Sequence, residues 1–317
     1  MQRLDIRDKN KELLRVNPIW DGGMVRSMSA GNVLWDFDQL KVPKLWGRYG
    51  VMGEGVKAAV IDSGIDYNHI RFKRNPARTV TFIAGDRTNG LDGNGHGTWV
   101  CGKMGGSGIG IAPKIDLASL RTLDSNGSGY SFYTTNALEW VWKHNAYHVV
   151  NMSLGSFGSS PAQAKICKKL WEQGVIVIAA AGNEDTEQKS YPAAYDGVIA
   201  VAAIDKGSKR AWFSNYGDHI LVSAPGVSCY STYVGGGFRK LQGTSMASPT
   251  CAGLACLGVS LILKRKGLYY DRRRIRDIIW KCLGESATDL GKIGRDKHYG
   301  FGGINGVRFM HMIEDRC

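Results

Sequence analysis

The chain has 317 residues, of which 43% are hydrophobic and 22% charged, enough to bury a substantial core, which excludes a disulfide-stapled miniprotein and a disordered tail. Glycine is abundant (42 residues) and proline scarce (8), a balance that excludes a collagen-like or proline-rich linker protein and implies many tight turns or close backbone approaches. A formal net charge of +13 invites an anionic partner, but no zinc finger, helix-turn-helix or RNA-recognition signature accompanies it, and nucleic acid is not expected as a partner.

The amino terminus, Met1 to Lys9, mixes both charge signs and lacks an apolar h-region, so no secretory signal is expected in the chain as written. The longest apolar runs, such as Val175–Ala181, fall far short of the ~20 residues of a bilayer span, and no membrane partner is expected. Beyond residue 33, apolar β-branched runs alternate with helix-like segments. Val56–Ile61 and Ile115–Leu120 read as strands, Tyr133–His144 as a helix, Val149–Met152 as a strand, Ala162–Gln173 as a helix, and Val175–Ala181 and Val198–Ala203 as strands. Continuous apolar strands between amphipathic helices predict an α/β fold, doubly wound, with a mainly parallel sheet covered by helices on both faces. Such sheets bind ligands at the carboxyl ends of their strands. No internal repeat and no linker after residue 40 divides the chain, so a single domain over 31–317 is expected behind an extension of residues 1–30. Lys264–Arg276 carries seven cations ahead of Ile278-Ile279-Trp280 and reads as a helix with one solvated basic face. The seven cysteines form no CxxC pair and read as reduced thiols of a cytoplasmic protein.

Four segments carry residue types suited to chemistry. Asp62 closes the strand Val56–Ile61 ahead of Ser63-Gly64, where a carboxylate either caps a loop or is held fixed at a strand end. His96 lies in Asp92-Gly93-Asn94-Gly95-His96-Gly97-Thr98; flanking glycines remove bulk and let an imidazole stand at a helix start. Asn183 ends the apolar strand in Ala180-Ala181-Gly182-Asn183, as a turn former or as a donor aimed into a cleft. Ser245 lies in Gly243-Thr244-Ser245-Met246-Ala247-Ser248-Pro249. A serine at a helix start is commonly a cap, but the same place offers a backbone N–H and the positive helix end to a nucleophile whose attack creates an oxyanion.

Taken together, D-S-G at 62–64, H-G-T at 96–98, A-G-N at 181–183 and G-T-S-M-A-S-P at 243–249 resemble the signature of the subtilisin-like serine proteases, intact and in order, with spacings of 34, 87 and 62 residues. Asn126–Tyr130, Asn151–Gly155 and the closing Tyr299-Gly300-Phe301-Gly302-Gly303-Ile304-Asn305 extend the likeness over roughly residues 33–312. The intracellular subtilisins are the nearest in style. The resemblance implies a serine endopeptidase with Asp62, His96 and Ser245 as a catalytic triad, an acyl-enzyme on Ser245, and Asn183 as an oxyanion donor. It further implies that a protein or peptide substrate lies extended between Gly127, Ser128, Gly129 and Tyr130 on one side and Ser153, Leu154 and Gly155 on the other. Main-chain bonds in that arrangement are indifferent to side chains.

Several departures refine this expectation. Ser190 stands where the family usually has a glycine at the base of the first pocket, and Glu184, Asp185 and Glu187 make the neighbouring loop acidic, attractive either to basic substrate side chains or simply to water. The stretch Gly105–Pro113 contains no side-chain carboxylate or carboxamide, whereas Ca²⁺ wants six to eight oxygens. No metal or other cofactor is expected at the tight calcium site of relatives, which leaves room only for a weaker site elsewhere. Two other outcomes of the same fold are a peptide ligase or macrocyclase, which resolves the acyl-enzyme with an amine, and a catalytically silent binding protein. Finally, Arg15-Val16-Asn17-Pro18-Ile19-Trp20 in the extension invites comparison with the proline-containing segment of intracellular relatives that lies across the active site. Ile19 and Trp20 offer pocket-filling groups, and Pro18 fixes φ and lacks an N–H. The alternative is a surface-packed or disordered terminus.

Overall fold

In chain order the elements are β1 (Leu13–Arg15), β2 (Ile19–Trp20), α1 (Trp35–Leu40), α2 (Val42–Tyr49), β3 (Lys57–Asp62), β4 (Arg78–Thr81), α3 (His96–Gly105), β5 (Asp116–Arg121), β6 (Ser128–Tyr130), α4 (Ser131–His144), β7 (Val149–Met152) and α5 (Pro161–Glu172). There follow β8 (Ile176–Ala180), β9 (Val198–Ile204), β10 (Ile220–Pro225), β11 (Cys229–Tyr233), β12 (Gly237–Gln242), α6 (Thr244–Lys266), α7 (Arg272–Glu285) and α8 (Gly306–Arg316). The computed structural model describes residues 13–15, 19–20, 34–73 and 77–317. The expected boundary between extension and domain, near residue 30, lies outside the described residues.

Seven strands form one parallel sheet in the order β10-β9-β8-β7-β3-β5-β4. Both faces are covered along β3, β5, β7, β8, β9 and β10, which is why these strands read as near-continuous apolar runs rather than alternating. In β3 the side chains of Ala58 and Val60 join a core with residues of α3, α6, α7 and α8, while Ala59 and Ile61 join a second core with residues of α4 and α5. Chain order reverses on either side of β3, with β5 and β4 on one flank and β7 to β10 on the other. A crevice therefore opens at the carboxyl end of β3, where Asp62 sits.

Helix α6 is long and apolar enough to cross a membrane by length and composition, but its apolar window is wholly buried in this fold, and it packs along β7, β8, β9 and β10. The expectation that no stretch approaches span length is corrected here. Ser, Thr, Gly and Pro249 break the run into short pieces without lowering its average hydropathy much. The basic stretch 264–276 is likewise not one helix. Helix α6 ends at Lys266, Gly267 takes a φ of 92°, and the Asp271 carboxylate accepts from the Arg273 N–H to start α7.

Candidate active site

Asp62 is fixed by the strand it ends. Its carbonyl accepts the N–H groups of Thr122 and Leu123, and its Oδ1 accepts from Ser63 N at 2.7 Å. His96 opens α3. The Asp92 carboxylate ties down that helix start, accepting from Gly95 N at 2.9 Å, Thr98 N at 2.8 Å and Thr98 Oγ1 at 2.7 Å. Ser63 Oγ donates to Asp92 Oδ1 and accepts from Gly97 N, both at 2.9 Å. A side chain at position 97 would have its Cβ 2.2 Å from the Gly64 carbonyl oxygen, so only glycine lets α3 close on the Asp62–Gly64 turn. The result is a contact of 2.8 Å between His96 Nδ1 and Asp62 Oδ1, both side chains at 0% exposure.

Ser245 is the second residue of α6. Its Oγ donates to the Ser153 carbonyl at 3.1 Å, while His96 Nε2 is buried and makes no hydrogen bond among the described residues. The Asp62–His96 link is thus formed and the His96–Ser245 link is not, with the hydroxyl turned toward β7. Resting structures commonly show such a gap. The Ser245 carbonyl has lost its helical partner, because Pro249 has no N–H to give it; Ser153 Oγ donates to it instead at 2.9 Å. Asn151 Nδ2 donates to that same Oγ at 3.0 Å, and Ser248 Oγ donates to Asn151 Oδ1 at 2.7 Å. Sequence reading missed Asn151 and Ser248 as site residues, although an asparagine inside the apolar run 149–152 was the available signal.

Asn183 follows β8 across the cleft. Its Oδ1 accepts from Thr244 N at 2.8 Å and Thr244 Oγ1 at 2.9 Å, and Thr244 Oγ1 also accepts from Gly182 N at 3.0 Å. With the carbonyl end of the amide occupied, its NH₂ end is directed away from Thr244. A pocket is lined by Leu154, Gly155, Ala180, Gly182, Asn183, Glu184, Thr244, Ser245 and also Arg15. Ser190 is not among these. It stands behind Gly155, its Oγ donating to the Ser156 carbonyl at 3.4 Å. Of the three acidic loop residues only Glu184 reaches the pocket; Asp185 pairs with Arg210 at 2.8 Å and Glu187 with Lys297 at 2.5 Å. Even Glu184 uses one oxygen to accept from Asn183 N and Asn215 Nδ2.

The two expected walls face each other, and the chain's own amino-terminal segment lies between them. Strand β1 pairs antiparallel with β6, with Leu13 opposite Tyr130, Leu14 opposite Gly129 and Arg15 opposite Ser128, and Arg15 bridges to Gly155 on its other edge. Gly127, at φ 71°, closes the turn that leads into β6, its N–H donating to the Asp124 carbonyl. Leu14 is 1% exposed, in the core that also holds Leu123 and Leu154. Farther on, β2 pairs with β12 through Ile19–Gln242 and Trp20–Leu241, three residues before Ser245. Val16, Asn17 and Pro18 lie outside the described residues.

The stretch expected to lack a calcium site is spent on its own turn. The Gly106 carbonyl accepts from Ile109 N and Gly110 N, and the Lys103 and Met104 carbonyls accept from Ile111 N and Ala112 N. The stretch offers a cation no side-chain carboxylate or carboxamide oxygen.

Residues 53–302 match the model of the subtilase family. The chain belongs to that family. It is 39% identical over 285 residues to subtilisin DY of Bacillus licheniformis, covering 87% of this chain and 98% of that protein. Similarity to subtilisin Savinase of Lederbergia lenta is 36% over 281 residues (87% and 98%), and to subtilisin E of Bacillus subtilis 38% over 285 residues (87% and 71%). The chain is accordingly a subtilisin-like serine endopeptidase that acts on protein or peptide substrates.

Proposed function

We propose that this subtilase cleaves peptide bonds with Ser245 as nucleophile, His96 as base and then acid, and Asp62 as the group that orients His96 and stabilises its charged form. Ser245 Oγ turns from the Ser153 carbonyl toward His96 Nε2 and gives up its proton there as it bonds to the substrate carbonyl carbon. His96 then delivers that proton to the leaving nitrogen as the C–N bond breaks. Water repeats the sequence to release the acyl group. The amide of Asn183 and the backbone N–H of Ser245, a first-turn donor of α6, face the developing oxyanion. The buried 2.8 Å pair of Asp62 and His96 carries this reading. Replacing Ser245 by Ala should abolish peptide hydrolysis and fluorophosphonate labelling with the melting temperature retained; surviving activity would reject it.

The same reading makes the extension an inhibitor in cis. Leu13–Arg15 hold the place expected for substrate backbone, between β6 and Gly155, and an extended segment bound by main-chain bonds excludes another. The reading includes no metal or other cofactor. We place the enzyme in the cytoplasm, a reading supported by seven cysteines that are all free thiols, six of them buried.

A further inference from the structure

The charge excess that the active site leaves unexplained gathers at the far end of α6. From Ser245 to Lys266 the helix rises about 30 Å, so the loop joining α6 to α7 lies at the opposite side of the domain from the cleft. Two large side chains stand at its tip, Leu268 at 66% and Tyr269 at 101% exposure. They share a shallow groove with Lys266 and Arg274.

The cations around this tip are only partly neutralised. Arg265 pairs with Glu314, Arg273 with Asp271 and Arg276 with Asp277. Lys264 is directed to the carbonyls of Tyr49 and Gly50, and Arg272 to Asn145, contacts that leave both charges intact. Among the described residues Lys264, Lys266, Arg272 and Arg274 have no acidic partner. Acidic groups near the loop are already paired, Asp271, Asp277 and Glu314 as above and Glu54, beside Leu268, with Lys114.

We propose that the loop around Leu268 and Tyr269, ringed by Lys264, Lys266, Arg272 and Arg274, docks the enzyme on an anionic lipid bilayer. Cations near such a surface are drawn to its negative potential, each strengthening binding by about fivefold. An apolar side chain with a tyrosine beside it suits the boundary between headgroups and acyl chains. A nucleic acid would use the charges but offers little to an exposed leucine. Docked this way, the enzyme presents its cleft away from the bilayer, open to protein substrates.

The test is sedimentation of the full chain, carrying Ser245→Ala to prevent autolysis, with vesicles of phosphatidylcholine alone or enriched in phosphatidylserine, at about 0.1 M salt. Binding is expected to the phosphatidylserine vesicles alone. It should fall about tenfold or more in Leu268→Ser/Tyr269→Ser, and roughly 25-fold in Lys266→Gln/Arg274→Gln. The same exposed pairs changed in the active enzyme should leave peptide hydrolysis and melting temperature as they were, which separates lost docking from lost folding. No binding to either vesicle, or binding indifferent to Leu268 and Tyr269, overturns the proposal. So does binding confined to an added single-stranded oligonucleotide, which would make this a nucleic-acid surface.

Discussion

Arg15 and Gly155 face each other across a reciprocal backbone pair, Arg15 N to Gly155 O at 3.4 Å and Gly155 N to Arg15 O at 3.5 Å. Each uses both of its main-chain groups on the other, which is how a substrate strand in this cleft would be held. Full-length enzyme should therefore start slowly. Deleting residues 1–28 should raise the initial rate, and the wild type should show a lag that ends as its own amino terminus is clipped, followed by mass spectrometry. Equal initial rates without clipping would show that the arm does not inhibit.

Leu14 supplies a sharper version of that experiment, because it is 1% exposed among apolar neighbours. Burying a leucine is worth about 1.5–3 kcal/mol, and a carboxylate in its place adds a desolvation cost. Leu14→Asp in the full-length chain should weaken the arm at least about tenfold and reproduce most of the rate gained by deletion. An unchanged lag in this variant would mean that the arm is held elsewhere.

How much of this was legible beforehand depends on where each element draws its identity. Strands β3, β5, β7, β8 and β9 are buried on both faces and announce themselves as apolar runs, with bounds within a residue or so of those found. Asp62, His96, Asn183 and Ser245 were readable because backbone demands surround them with glycine and small residues. Strand β12, with Arg239 and Lys240, and the short β4 lacked an apolar signature. Strands β1 and β2 have three and two residues and exist only through their partners β6 and β12, so no local pattern could reveal them. The bonds made by the Ser190 hydroxyl and by the acidic loop were not legible for a related reason. Their partners, Ser156, Arg210 and Lys297, are remote in sequence.

Asn183 owes its orientation to Thr244, which occupies the carbonyl end of the amide through two contacts. Asn183→Ala should lower turnover by ~10²–10³, the magnitude known for this donor in subtilisin itself. Thr244→Val removes the hydroxyl but keeps the N–H contact, so a smaller loss in kcat with KM nearly unchanged is expected. Equal losses in the two variants would mean that Thr244 acts through folding, which the melting temperature would reveal.

Stability should fall on mild acidification. His148 is held neutral, its pKa lowered from 6.5 to about 4 by burial and then by the Arg272 charge, and its Nδ1 accepts the Lys57 N–H at 3.1 Å. The unfolded chain binds this proton below about pH 6.5 and the native state only near 4, so native stability is lost as pH falls through that window. The loss is roughly 3 kcal/mol at its limit. Burial also lowers the pKa values of His69 and His219, in the same direction. Melting temperatures of the Ser245→Ala protein should drop across this range, and less steeply once His148→Asn is added. Parallel curves would remove His148 from the account.

Chelation should change little. The carbonyls of Lys103, Met104 and Gly106 already accept backbone N–H groups, and no cluster of three His, Cys, Asp or Glu exists among the described residues. A cation bound only by the native state would raise the melting temperature by mass action. Excess EDTA should leave both melting temperature and hydrolysis within error, and a drop of several degrees would reveal a site built from other oxygens.

The contact between Ser153 and Ser245 makes a prediction that couples two residues remote in sequence. Pro249 deprives the Ser245 carbonyl of its helical donor, and Ser153 Oγ replaces it at 2.9 Å. In Ser153→Ala that buried carbonyl loses its partner and Asn151 Nδ2 loses its acceptor, which should cost about 1–3 kcal/mol for each group left unsatisfied. Pro249→Ala restores an N–H four residues along from the carbonyl. In the Ser153→Ala background it should therefore recover stability that it does not add to the wild type, giving a coupling of about 1 kcal/mol or more in a double-mutant cycle. Urea unfolding measured on the Ser245→Ala protein, whose carbonyl is unchanged, reads this without autolysis. Strict additivity would show that Ser153 holds the helix start by packing rather than through the bond to the Ser245 carbonyl.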